Sequence, residues 1–180
     1  LKLINKLPVK SDKTLYECIR SNRKCKVYFD LENEHYIDPE KADKVINCFC
    51  EDFSKYILHR YEMTIPSDSY RISDSSGMKT TKSGQKMINS FHIILHDHFV
   101  MQNNNEFMQQ LYDNFIDFSK ESKPVWFNWV DPSVYTTDRI FRCLYCKKQD
   151  DVDRYFGKVG NFPDEDYFVT NVNTELPVLH

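Results

Sequence analysis

Apolar and polar residues alternate along residues 24–32, and the run closes on two acids, Asp30 and Glu32. That period of two predicts a strand. Asp38-Pro39 then supplies an N-cap and a proline at the first helical position. Ala42, Val45, Ile46, Phe49, Phe53, Tyr56 and Ile57 follow at helical spacing, so a helix is predicted over about 39–61 and is broken by Ile65-Pro66-Ser67. Residues 69–74 predict a short strand, and the Ser-, Gly-, Thr- and Lys-rich stretch 75–86 predicts an exposed loop. INSFHIILH at 88–96 predicts a second strong strand. Asn103 to Asn105 cap a second helix whose Phe107, Met108, Leu111, Tyr112, Phe115 and Phe118 form an apolar stripe, ended by Pro124. VWFNWV at 125–130, RIFRCLYC at 139–146 and YFVTNV at 167–172 predict further strands. No internal repeat appears, nor a linker long enough to force a boundary, so one domain is expected, or two small modules sharing one core.

Composition narrows the class. The 180 residues are 41% hydrophobic and 28% charged, the balance of a globular chain with a proper core. No apolar run approaches the roughly 18 residues of a membrane span, and no secretory pattern opens the chain. The first residue is not Met, which suggests a piece of a longer protein. Six scattered cysteines suit reduced thiols in an intracellular protein better than a disulfide framework. The net charge of −3 does not announce a polyanionic partner, but lysines and arginines cluster locally. Lys79, Lys82 and Lys86 form one group, and Arg139, Arg142, Lys147 and Lys148 another; each is either a solvated face or a contact to nucleic acid.

Strand parity puts Asp30 and Glu32 on one face and Leu31 on the other. Two carboxylates that close repel unless something positive lies between them, and a hard cation such as Mg²⁺ or Mn²⁺ answers that need. The alternative is a strand end that simply reaches solvent. Ser90 and His92 likewise share a face, opposite Phe91, Ile93 and Leu95. Their hydroxyl and imidazole suit phosphate oxygens, although a nucleophile with its base or a satisfied core histidine also fits. His96 and His98 add an H-x-H zinc reading without a matched second pair of ligands. Asp131 emerges from an aromatic run much as Asp30 does, and Arg139 and Arg142 follow with forked donors suited to triphosphate. Three residues apart on a regular strand, those arginines face opposite ways, so one shared ligand demands a turn or bulge. Cys143 and Cys146 form a C-x-x-C without a second pair, and Cys48 and Cys50 diverge on their helix, so all four read as ordinary thiols.

Taken in order, D-x-E, S-x-H and D-x-x-x-Y-x-x-x-R-x-x-R resemble the motif set of the archaeo-eukaryotic primase superfamily, in its primase-polymerase and herpes/pox primase branch. LYECIRSNRKCKVYFDLE at 15–32 and VDPSVYTTDRIFR at 130–142 are similar to the first- and third-motif segments of eukaryotic primase-polymerases. SFHIIL at 90–95 is similar to the second motif of poxvirus-type primase-helicases, so the resemblance runs over about 15–148. It implies an α+β catalytic core, a small α/β module packed with an RNA-recognition-like module, its mixed and antiparallel sheets flanked by helices. It also implies template-directed nucleotidyl transfer that makes primers on single-stranded DNA during replication. Asp30, Glu32 and Asp131 would hold two divalent ions, Mg²⁺ or Mn²⁺. Ser90, His92, Arg139 and Arg142, with Lys86 and Lys148, would hold the incoming (d)NTP; Lys79 and Lys82 would touch the template. The family's basic residue just before the serine is replaced here, Ile88 and Asn89 standing close by, and the zinc module that follows the core in eukaryotic members is absent. A helicase domain in the same parent protein is expected. So is a large DNA virus as source, which would place the chain in host cytoplasm; otherwise nucleus or mitochondrion is expected. Two other functions use the same residues: a metal-dependent nuclease, which needs no nucleotides, and an inactive nucleotide- or nucleic-acid-binding module.

Overall fold

The apolar run at 24–32 folds as two strands, because the chain changes partner at Val27. The computed structural model describes residues 13–81, 83–148 and 154–179. The first strands are β1 (Tyr16–Ile19), β2 (Cys25–Lys26) and β3 (Tyr28–Asn33), and they lead into helix α1 (Pro39–Tyr61). Asp38 caps α1 by accepting the Lys41 N–H at 3.0 Å, with Pro39 in its first turn, as the sequence predicts. Then come β4 (Tyr70–Asp74), β5 (Gly77–Thr81), β6 (Gly84–Leu95), β7 (Val100–Met101) and α2 (Gln109–Ser119). The strands β8 (Arg139–Arg142), β9 (Gly157–Val159) and β10 (Val178–Leu179) complete the set.

The main sheet has the order β3-β6-β4-β9, antiparallel throughout, with β5 folded back on the start of β6. A small mixed sheet runs β10-β7-β2, and β1 pairs antiparallel with β8. The protein is therefore mixed α+β with few helices. Among the described residues, no helix is long and apolar enough to cross a membrane.

Strand parity decides where the core lies. Phe29 and Leu31 of β3 and Phe91, Ile93 and Leu95 of β6 are buried on the face that meets the helices. Phe29 sits edge-on to Phe49 and Phe53 of α1, with ring centroids 4.8 and 4.9 Å away, and 6.2 Å from Phe115 of α2. Trp126 stacks on Phe115 at 5.0 Å and donates its indole N–H to Asp52 on α1 at 3.0 Å. Burying each such ring favours folding by roughly 2–3 kcal/mol, and the edge-to-face contacts add to that.

Four further expected elements differ. The loop predicted at 75–86 is largely hairpin: β5 pairs with β6 in register from Gly77↔Ile88 to Thr81↔Gly84. Gly84, at φ 125°, supplies the left-handed backbone that so tight a return needs. VWFNWV is a succession of turns, with Phe127 N–H to Pro124 and Trp129 N–H to Trp126, because Trp126 must turn inward between the helices. Only Val130 pairs, in a single bridge to Leu31. YFVTNV at 167–172 is not a strand either. The buried Glu17 carboxylate accepts the Val169 and Thr170 N–H groups at 3.0 and 2.8 Å, doing what a neighbouring strand would do. RIFRCLYC stops being a strand after Arg142, where Cys146 N–H turns back to the Cys143 carbonyl at 3.2 Å. The short β1, β9 and β10 carry no alternation strong enough to be read in advance.

Candidate functional site

The acids owe their placement to hydrogen-bond register. In the ladder between β3 and β6, Asp30 lies directly opposite His92, and Glu32 opposite Ser90. Directly opposed residues of an antiparallel pair share a face, so these four side chains stand together on the face away from the helices. On the other side of β3, the Leu31↔Val130 bridge sets Asp131 beside Asp30. Asp131 N–H donates to the Asp30 carbonyl at 2.8 Å, and Glu32 N–H to the Trp129 carbonyl at 2.7 Å. Asp30 is thus flanked by His92 on one side and Asp131 on the other.

Buried hydroxyl and amide groups fix the segment carrying Asp131. The Tyr28 hydroxyl donates to the Val134 carbonyl at 2.8 Å, and the Tyr135 hydroxyl to the Tyr28 carbonyl at 3.0 Å. The buried Asn104 amide donates to the Val134 and Thr136 carbonyls at 3.1 and 3.0 Å. The sequence marks Asn104 only as part of a helix cap; its burial is a tertiary fact.

The three acids face one cavity of about 440 Å³. Asp30, Glu32, Asp131, Ser90, His92, Arg139, Arg142 and Lys148 all line it, with Lys79 and Tyr16. Both arginines reach it although β8 runs in unbroken register with β1, from Tyr16↔Arg142 to Ile19↔Arg139. No bulge is required, because the cavity runs along the strand and Ile140 and Phe141 line it as well. Arg142 packs its guanidinium 4.2 Å over the Phe156 ring and reaches Ser75 Oγ at 3.3 Å. Lys86 lies outside, paired with Glu34 at 2.5 Å. Lys79, expected on the template, is inside and ion-paired with Glu32. Lys82 lies outside the described residues. Of the H-x-H histidines, His96 pairs with Asp97 at 2.6 Å and His98 with Ser69 at 2.6 Å. Cys143 and Cys146 pack against Phe168 in a small apolar cluster.

The electrostatics are uneven. Burial, then the neighbouring Asp131 and Glu32, push the Asp30 carboxyl up to about 7 despite the opposing pull of Arg142 and Lys148. His92 is pressed between Phe141 and Phe156, with ring centroids 3.9 and 3.7 Å away. Burial and the nearby Arg142, Lys148 and Arg139 cations hold it well below the usual imidazole range, so it is neutral at pH 7. A neutral imidazole 3.9 Å from Asp30 makes no ion pair with it; it offers one N–H and one lone pair. Burial, then Arg142, also lowers Lys148.

Among the described residues, no three His, Cys, Asp or Glu side chains converge closely enough to enclose an ion. Each acid is partnered separately: Glu32 turns to Lys79, and Asp131 accepts Ser133 N–H at 2.8 Å and Ser133 Oγ–H at 2.9 Å. The donor set nevertheless fits a hard divalent cation. All three acids offer oxygen, two stand side by side on paired backbone, and Asp30 carries a charge its surroundings under-compensate. To share an ion, Glu32 and Asp131 would have to turn away from Lys79 and Ser133. Millimolar Mn²⁺ is accordingly expected to raise the melting temperature by about 3–8 °C, and Asp131→Ala to abolish that rise in a thermal-shift titration.

A scan against protein-family models and a search of curated proteins returned no match for this chain.

Proposed function

We propose that the cavity is the catalytic centre of a template-directed nucleotidyltransferase that makes primers on single-stranded DNA. The observation that carries this reading is the side-by-side placement of Asp30 and Asp131 across a backbone pair, with Glu32 two residues on and Ser90, His92, Arg139 and Arg142 on the walls. The antiparallel sheet with both helices on one face is the arrangement expected of the RNA-recognition-like half of an archaeo-eukaryotic primase core.

In this reading Asp30, Glu32 and Asp131 would hold two divalent ions, Mg²⁺ or Mn²⁺. Such ions lower the pKa of an attacking 3′-hydroxyl and neutralise charge on the triphosphate. The chain's own residues do the rest. Ser90 Oγ and the neutral His92 donate to phosphate oxygens, fixing the nucleotide by geometry without adding charge. Arg139, Arg142 and Lys148 supply the cations toward which charge moves as pyrophosphate leaves. His92 is unsuited to take the hydroxyl proton, because its depressed basicity and the two enclosing rings oppose its charged form.

The test is synthesis without a primer. Given single-stranded template, Mn²⁺ or Mg²⁺ and nucleotides, the protein should make short products, and Asp131→Ala should make none. Shortening of a labelled strand without nucleotides would replace this reading with a nuclease. Nucleotide or strand binding with no turnover would leave only a binding module.

A further inference from the structure

A second cavity, of about 510 Å³, opens where β1 gives way to the turn before β2. Its lining includes Cys18, Arg20, Arg23, Lys24, Thr170 and Thr174. Among the described residues, no acid pairs with any of its three cations. Asp138, the acid held at this turn, is occupied with Ser21, 3.0 Å from its N–H and 3.4 Å from its hydroxyl. Those bonds and the Arg23 N–H to Arg20 carbonyl bond at 3.2 Å brace the turn and present the arginines outward.

The β1–β8 ribbon joins this cavity to the first. Register puts Tyr16 opposite Arg142 and Cys18 opposite Ile140, so these four share a face, while Glu17, Ile19 and Phe141 are buried on the other. Tyr16 and Ile140 line the acidic cavity and Cys18 lines the basic one. Two residues of strand, about 7 Å, separate Tyr16 from Cys18. Tyr16 is 39% exposed and Ile140 60%, large groups left open between the two cavities.

An exposed aromatic on a strand, followed by unneutralised cations, matches a single strand of nucleic acid: a base stacks on the ring and phosphates follow the cations. We propose that the outer face of the β1–β8 ribbon is a track for single-stranded nucleic acid, with Tyr16 as stacking platform and Arg20, Arg23 and Lys24 as the phosphate clamp. The inference rests on the reading above for the strand's role as template, and it gives that strand a path out of the catalytic cavity.

Binding is measured without nucleotide or metal, by anisotropy of a labelled oligo(dT) of about 20 nucleotides. Arg20→Ala/Arg23→Ala/Lys24→Ala should weaken affinity about tenfold or more and lower the salt slope by about 2. Tyr16→Ala should weaken oligo(dT) about tenfold but leave an abasic strand of equal length unchanged. The changed side chains stand at the surface, and a circular dichroism melt matching wild type certifies each fold. Wild-type affinity and slope in the triple variant overturn the proposal. Equal losses on single strand and duplex, with Tyr16→Ala silent, reduce the face to a plain basic patch and also overturn it. A chain that binds strands through this face yet makes no product sinks the catalytic reading alone. A productive chain whose triple variant binds normally sinks the track alone.

Discussion

Asp30→Asn is expected to lower templated synthesis by about a thousandfold or more while making the metal-free protein more stable above neutral pH. Asn keeps the shape of Asp and its backbone pairing with Asp131 and His92, so the sheet should be undisturbed. It removes the carboxylate charge at that position. The stability gain follows from linkage. Burial raises the Asp30 carboxyl from an ordinary 3.8 to about 7. The stability associated with the protonated form is therefore complete below about pH 4 and lost as pH rises through 7. Asn carries no charge at any pH. The variant's advantage should therefore open between about pH 4 and 7 and hold above that, on the order of 1–3 kcal/mol for a side chain that is 23% exposed. Urea melts at about pH 5 and 8 read the difference, and a primer-synthesis assay reads the loss. A variant that is inactive but also destabilised at pH 8 would make Asp30 a structural residue. Greater stability with lost turnover marks a residue kept for function at the fold's expense.

Phe29→Ala should cost about 3–5 kcal/mol of unfolding free energy, a large part of what holds a domain of this size together. Phe29 is 1% exposed and touches rings from both helices, so truncation leaves a void that α1 and α2 cannot close together. Its neighbour in sequence is Asp30, one strand residue away and on the opposite face. The substitution therefore separates the two faces of β3. Urea unfolding should show a lower midpoint with an unchanged slope, while the protein remaining folded at about 10 °C keeps its affinity for Mn²⁺. Loss of metal affinity in fully folded protein would mean that the register of β3 depends on this ring. Phe49 and Trp126 complete the same cluster, so substitutions there should not add independently to Phe29→Ala.

Legibility in the sequence followed the range of the forces involved. The helix at about 39–61 was readable, because Asp38, Pro39 and the apolar stripe act within one or two turns. The shared faces of Asp30 with Glu32, and of Ser90 with His92, followed from the period of a strand alone. The hairpin at 77–88 was hidden by its composition. Thr, Lys and Gly pair well enough when a long buried strand such as β6 supplies the template, but alone they resemble a loop. Glu17 was illegible for the opposite reason: an acid on a short strand looks like a surface charge until the two N–H groups it satisfies fold over it from residues 169 and 170.

By itself, then, the sequence determined which side chains stand on the same face of each strand, where the long helix begins, and which residue types could meet a metal and a triphosphate. Those properties depend on backbone geometry repeated every two or 3.6 residues. Tertiary structure alone decided the neighbours across strands. It set Asp131 beside Asp30, closed His92 between Phe141 and Phe156, brought Lys79 to Glu32, and let Arg139 and Arg142 share a cavity without a bulge. Each of these depends on which strand pairs with which and in what register. That choice is made by burying the whole aromatic core at once, and no local stretch of the chain contains it.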